Sequence, residues 1–158
     1  MLERSKQKAK DWVAKAIEFY KASGREIALA EFTNPKGPFV QDDMYIFVLD
    51  SKGNMVAHGV NEKYTDKSFV DLKDSTGKTF IREIIEAANT NGSGWVEYQW
   101  YNPVNKETKP KSLYFEKIDD LIICSGIYIV RLMDIISYNL EHMQYQGDAY
   151  YSELQPRV

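Results

Sequence analysis

Cysteine is nearly absent from this chain: of 158 residues only Cys124 carries a thiol, inside the apolar run LIICSGIY. An intrachain disulfide is therefore excluded, and with it a disulfide-stapled fold; a lone thiol in such a run reads as buried and inert. Histidine is scarce as well. His58 and His142 stand alone, with no His-x-x-x-His, Cys-x-x-Cys or calcium-loop spacing to make a metal site, and no Cys-x-x-Cys-His for covalent haem. The chain lacks G-x-S-x-G, a phosphate-binding P-loop and G-x-G-x-x-G; Gly92-Ser93-Gly94 precedes a strand and reads as a turn. The acidic pairs Asp42-Asp43 and Asp119-Asp120 fall at turns and read as solvated corners. No cofactor and no catalysis are expected.

Long apolar runs are missing too, and none approaches the roughly 18 residues that a membrane helix needs. The start, MLERSKQKAK, has no apolar stretch of the kind that marks a signal peptide. Twenty basic and 23 acidic residues are interspersed and give a net charge of −3, so no basic stripe offers itself to nucleic acid.

What the chain has in quantity is rings: eleven Tyr, seven Phe and three Trp. A length of 158 residues suits one domain with a real core. Residues 3 to 22 read as a helix, because Trp12, Ala16, Phe19 and Tyr20 recur at helical spacing and Gly24 supplies a stop. A shorter helix over 26 to 32 ends at Asn34-Pro35-Lys36-Gly37-Pro38. The period then becomes two. DMYIFVLD (43 to 50) reads as a buried strand, and Ser51-Lys52-Gly53-Asn54 turns into a second strand over 55 to 58. A loop leads to a helix over 79 to 89, with Phe80, Ile84, Ile85 and Ala88 on one face.

Three strands follow, over 94 to 101, 111 to 118 and 121 to 129, the first two joined by a hairpin holding Asn102-Pro103 and Lys109-Pro110. A last helix is expected over 130 to 146. The resulting fold class is α+β: a PAS-like five-stranded antiparallel sheet with a long N-terminal helix, a helical insert and an extra C-terminal helix. Residues 1–24 would be the N-terminal helix, 25–129 the PAS-like domain and 130–158 the C-terminal helix and tail.

One cation beside many rings suits a small anion held in a nearly dry pocket. A carboxylate that loses its hydration needs a charge and fixed donors in exchange. Lys111 is the candidate, although a lysine after Pro110 also fits a surface turn. Alternation puts Val96, Tyr98 and Trp100 on one strand face, the better inward set. Ser112, Tyr114 and Glu116 share another face, so Lys111 and Tyr114 converge only if Lys111 sits at the strand mouth or a bulge intervenes. Tyr45 alternates with Phe47 and Leu49 and could equally be a core tyrosine; His58 could titrate, hydrogen-bond or be structural. His142 is assigned no role.

Three segments, EFTNPKGPFVQDDMYIFVLDSKGNMVAH, DLKDSTGKTFIREIIEAA and GSGWVEYQWYNPVNKETKPKSLYFEKIDDLIICSGIY, taken in order, resemble the single Cache family of extracellular sensor domains found in bacterial chemoreceptors and related signalling proteins. The resemblance covers about Ala30 to Tyr128 and implies a ligand-binding, non-catalytic sensor of small carboxylates such as acetate, propionate, lactate or pyruvate. It implies pocket roles for Tyr45, His58, Tyr98, Trp100, Lys111 and Tyr114. It also implies a periplasmic or extracellular location, with any export signal already removed. Two positions depart from the family pattern: Gly59 follows His58 where a proline is usual, and Asp66-Lys67 stands where Gly-Lys is usual. The competing reading is a homodimer, through the N-terminal helix, or a partner-docking module without a small ligand. A cofactor-binding PAS-like domain is the third.

Overall fold

The computed structural model describes residues 2–130 together with residues 136, 139, 140 and 143, which are helical. Val130, where the last helix is expected to begin, is not helical; apart from it and those four, the helix expected over 130 to 146 lies outside the described residues, as does His142. The first helix, α1, runs Leu2–Ser23 and α2 runs Arg25–Thr33. Between them Gly24, at φ 85°, donates its N–H to the Tyr20 carbonyl, a left-handed helix end that suits glycine. The insert helix, α3, spans Phe80–Asn91. The strands are β1 (Phe47–Asp50), β2 (Met55–His58), β3 (Ser93–Tyr101), β4 (Thr108–Ile118) and β5 (Leu121–Tyr128).

These strands form one antiparallel sheet in the order β2-β1-β5-β4-β3, a PAS-like arrangement. Up to β5 the expected element order is realised, with corrected bounds. The first strand starts at Phe47, not at residue 43, and Lys109-Pro110 belong to β4 rather than to the hairpin. Turn chemistry explains the β1–β2 hairpin: the Asp50 carboxylate accepts from Lys52 N, Asn54 N and Asn54 Nδ2, each at 2.9 Å.

The central strands are buried on both faces, so their side chains divide between two cores. On the first, Phe47, Leu49, Leu113, Phe115, Ile122 and Cys124 meet α3 through Phe80, Ile81, Ile84 and Ala88. On the second, Val48, Tyr114, Leu121, Ile123 and Ile127 meet α1 and α2. The α1 contact uses Ala9, Val13 and Ala16, one helical face whose small residues let the helix lie close against the sheet. Polar ties fix α1 along its length: Trp12 Nε1 donates to the Phe39 carbonyl at 2.9 Å, and Tyr20 OH donates to Asp119 Oδ2 at 2.9 Å.

The loop before α3 is anchored by one carboxylate. Asp74 accepts from Thr76 N, Thr76 Oγ1 and Lys78 N, and from Gln99 N on the open edge of β3 at 2.9 Å. Burial alone would raise its pKa, but these donors, Gln99 first, hold it down to about 2. They also occupy part of an edge that would otherwise be open to pairing with another chain.

Candidate functional site

The candidate site lies on the α3 side of the sheet. Phe47 at the start of β1 is opposite His58 on β2 and Cys124 on β5; Lys111 on β4 is opposite Tyr128 on β5 and Tyr98 on β3. Register alone therefore brings His58, Phe47, Lys111 and Tyr98 to one face. Tyr45, just ahead of β1, joins them by its hydroxyl. The face is closed by Tyr64, Phe69 and Leu72 from the loop after β2, and by Phe80 and Ile81 from α3.

These rings leave a cavity of about 10 Å³, room for roughly one water molecule. Tyr45, His58, Tyr98 and Trp100 all line it. Phe80 stacks flat on Tyr98, with centroids 4.0 Å apart at 6°, and meets Trp100 edge-on at 5.6 Å. Tyr64 meets the His58 ring edge-on at 5.0 Å.

Lys111 is 1% exposed, inside the protein rather than at a surface turn. It does not itself line the cavity; it touches two rings that do, Tyr45 and Phe47. Its Nζ donates to Tyr45 OH at 3.0 Å and sits 4.2 Å from that ring's centroid, 5.2 Å from Tyr128 and 5.9 Å from Phe47. Among the described residues it forms no ion pair with a carboxylate. Its reach depends on Gly126. A Cβ there would stand 2.7 Å from Lys111 Cε and 2.9 Å from the Ser112 carbonyl, so glycine opens the lane by which the lysine stem passes over β5.

His58 has a fixed tautomer. Its Nδ1 accepts from Val60 N at 3.2 Å and Asn61 N at 3.0 Å, which leaves the proton of the neutral ring on Nε2. Burial, and then the Lys111 charge, lowers its pKa to about 3, so the ring stays uncharged at neutral pH. The Tyr98 and Tyr128 hydroxyls are pushed well above the ordinary range, first by burial and then by the Tyr45 hydroxyl. The site is thus a set of neutral donors around one buried cation.

Tyr114 is not in it. Expected among the pocket residues, it points to the opposite face, where its ring packs 5.2 Å from Trp95 and within reach of Lys10 on α1. The ladder from Lys111 to Ile118 runs without a bulge, so strict alternation separates the two residues. Sequence reasoning also missed members. Phe47 and Tyr128 were accessible in principle, as the alternation partners of Tyr45 and of Cys124. Phe80 was assigned only to the helix face, and Tyr64 lies in an aperiodic loop that gave no signal.

An α+β sensor fold with an aromatic pocket on one sheet face and a long helix on the other defines a PAS-like small-molecule sensor domain. The chain belongs to the single Cache domain 2 family, whose model matches residues 2–146. It is 29% identical over 89 residues to the methyl-accepting chemotaxis protein McpP of Pseudomonas putida, a match that covers 55% of this chain and 16% of that receptor. Its fold is similar to that of a methyl-accepting chemotaxis protein from Vibrio parahaemolyticus, with TM-score 0.71 and 25% identity over 81% of this chain and 90% of that one. It also resembles a Cache chemosensory domain solved for its carboxylic acid recognition, with TM-score 0.63 and 22% identity over 81% and 92% of the two chains. The chain is therefore a single Cache sensor domain, of the family found in chemoreceptors and sensor kinases, and no helix among the described residues is long and apolar enough to cross a membrane.

Proposed function

We propose that this domain senses a short-chain carboxylate outside the cytoplasm, with Lys111 as the anion's counter-charge and Tyr45 as its companion donor. The observation that carries the reading is a lysine buried to 1% among rings, with no carboxylate paired to it among the described residues. A buried ammonium is costly unless an anion joins it. The carboxylic-acid-binding Cache domain that shares this fold supports the choice of ligand class. With about 10 Å³ free, the ligand enters only as the aromatic walls and the Tyr45 ring give way. Binding then shifts the population between two packings of the sheet and α1.

The test is a thermal-shift and calorimetric screen of protein unfolded and refolded to strip any co-purified ligand. Acetate, propionate, lactate and pyruvate are compared with acetamide and propionamide, which match acetate and propionate closely in size but carry no negative charge. Stabilisation confined to the acids supports the proposal. Equal response to acetamide, or none to any acid, overturns it.

A further inference from the structure

The three rings around Lys111 Nζ are not buried alike. Tyr45 and Phe47 are 2% and 4% exposed and belong to the core. Tyr128, its ring centre 5.2 Å from Nζ, is half-buried and ends β5. It also lines a second and larger space. This groove, of about 450 Å³, is bounded by Asp11 and Trp12 of α1, by Asp42 and Asp43 of the turn closed between Gln41 and Met44, and by Ile127. Lys111 does not line it. One phenol ring therefore separates the buried cation from a groove wide enough for a small acid.

The two ways to the cation differ in what must be broken. On the α3 side the roof is a web of rings: Phe80 lies flat on Tyr98, and Tyr64 meets His58, Phe69 and Trp100 edge-on. Parting that web uncovers several rings at once. On the groove side a single ring stands in the way. A phenol has one proton to give, and Tyr128 gives it to the Tyr101 carbonyl at 2.6 Å.

That carbonyl is a firm post. The next residue, Asn102, is 3% exposed, and its backbone bonds Glu107 and Lys106. Its Oδ1 accepts from Val104 N, and its Nδ2 donates to Asp43 Oδ2 at 3.1 Å. The last bond ties the β3–β4 hairpin to the groove's own turn, so the post stays in place while the ring moves.

Resting on the carboxylate reading, we propose that Tyr128 is the gate of the Lys111 site: the acid arrives through the α1 groove and passes when the phenol lets go of the Tyr101 carbonyl. Tyr128 is then the first of the aromatic walls to give way. A gate closed in both the free and the bound protein governs how fast ligand exchanges, because passage in either direction waits for the open form. The entrance carries Asp11, Asp42 and Asp43 against Lys8, which slows an anion further.

Stopped-flow mixing of the intact chain with acetate, propionate, lactate or pyruvate tests this. Tryptophan fluorescence reports it, because Trp100 lines the cavity and Trp12 the groove. Tyr128→Phe keeps the ring and removes its latch. Association and dissociation then quicken together, each by about three- to tenfold, the worth of one hydrogen bond between neutral groups. Asp42→Asn tests the route without touching the site: asparagine suits the left-handed backbone there, at φ 54°, and one entrance charge goes. Both rates rise by about twofold at low salt. An association rate unchanged in either variant overturns the gate and leaves the carboxylate reading standing. So does a Tyr128→Phe effect confined to dissociation, which would make the hydroxyl a ligand contact. If no acid binds at all, both readings fall.

Discussion

Replacing Lys111 by methionine tests the proposed anchor, because the stem remains and only the charge and its donors go. Lys111 donates one hydrogen bond, to Tyr45 OH, and lies over three rings, but has no carboxylate partner among the described residues. Without ligand, the variant loses a charge-assisted hydrogen bond of about 1.5–3 kcal/mol and gains relief from a desolvation penalty of several kcal/mol. The expected unliganded melting temperature is therefore equal to or above that of the parent. With ligand the sign reverses. A four-atom acid at about 1.5 kcal/mol per heavy atom reaches about 6 kcal/mol, a Kd of tens of micromolar. Loss of a buried ionic partner removes about 3 kcal/mol or more, roughly 150-fold, and moves Kd into the millimolar range.

Thermal shift reads both numbers. At 100 times the parent's Kd, the ligand adds about 2.7 kcal/mol, or roughly 5–10 °C for a chain of this size. Lys111→Met at the same concentration shifts by about 1 °C. A variant that binds with the parent's Kd refutes the anchor. One that loses more than about 3 kcal/mol before any ligand is added shows that the lysine is structural.

His58 has a folded pKa of about 3 against 6.5 for a free imidazole. The unfolded chain therefore takes up a proton below pH 6.5 that the native chain refuses, and stability falls as pH drops from 6.5 towards 3. Denaturant unfolding should show about 2 kcal/mol less stability at pH 5 than at pH 7.5, and His58→Gln should flatten that slope. Asp74→Ala strips acceptors from Thr76, Lys78 and the edge amide of Gln99; a loss of about 3 kcal/mol is expected, seen as a lower denaturation midpoint at unchanged m. Tyr114→Phe should leave every ligand-induced thermal shift unchanged, because that side chain faces α1; a loss of response would overturn the assignment of the two sheet faces.

Much of this was legible because the periods were clean. Ala9, Val13 and Ala16 mark the buried stripe of α1, and LIICSGIY, apolar at nearly every position, is what a strand buried on both faces looks like. The position of Lys111 was misleading for a local reason. Pro110 suggested a strand mouth, whereas β4 already begins at Thr108 and Pro110 pairs with Gln99 inside the ladder. The depth of the lysine is set instead by Gly126, fifteen residues away in sequence, through a lane that no local pattern encodes. The pocket roof was illegible for the opposite reason. Tyr64, Phe69 and Leu72 come from a loop with no period, and tertiary packing alone aims them inward. Tyr114 shows the limit of resemblance, since strand alternation had already set it apart from Lys111 and the structure follows the alternation.

The two sheet faces are joined at Tyr45, which suggests how a ligand at Lys111 would be felt by α1. The Tyr45 hydroxyl meets Lys111 on the pocket side, while its backbone carbonyl accepts from Ser125 Oγ at 2.9 Å within β5. Its neighbour Ile46 packs in the α1 core, and Phe39, six residues earlier, is gripped by the Trp12 indole and by the rings of Phe19 and Phe32. An anion that takes Nζ from the Tyr45 hydroxyl frees the ring that closes the cavity. It thereby loads the segment from Phe39 to Tyr45, which α1 holds at its other end. Close-packed cores resist gradual deformation, so the response falls on the contact that can switch, the seat of Phe39 against α1. On the proposed reading, the long helix is the output because it grips the one segment that the ligand must move.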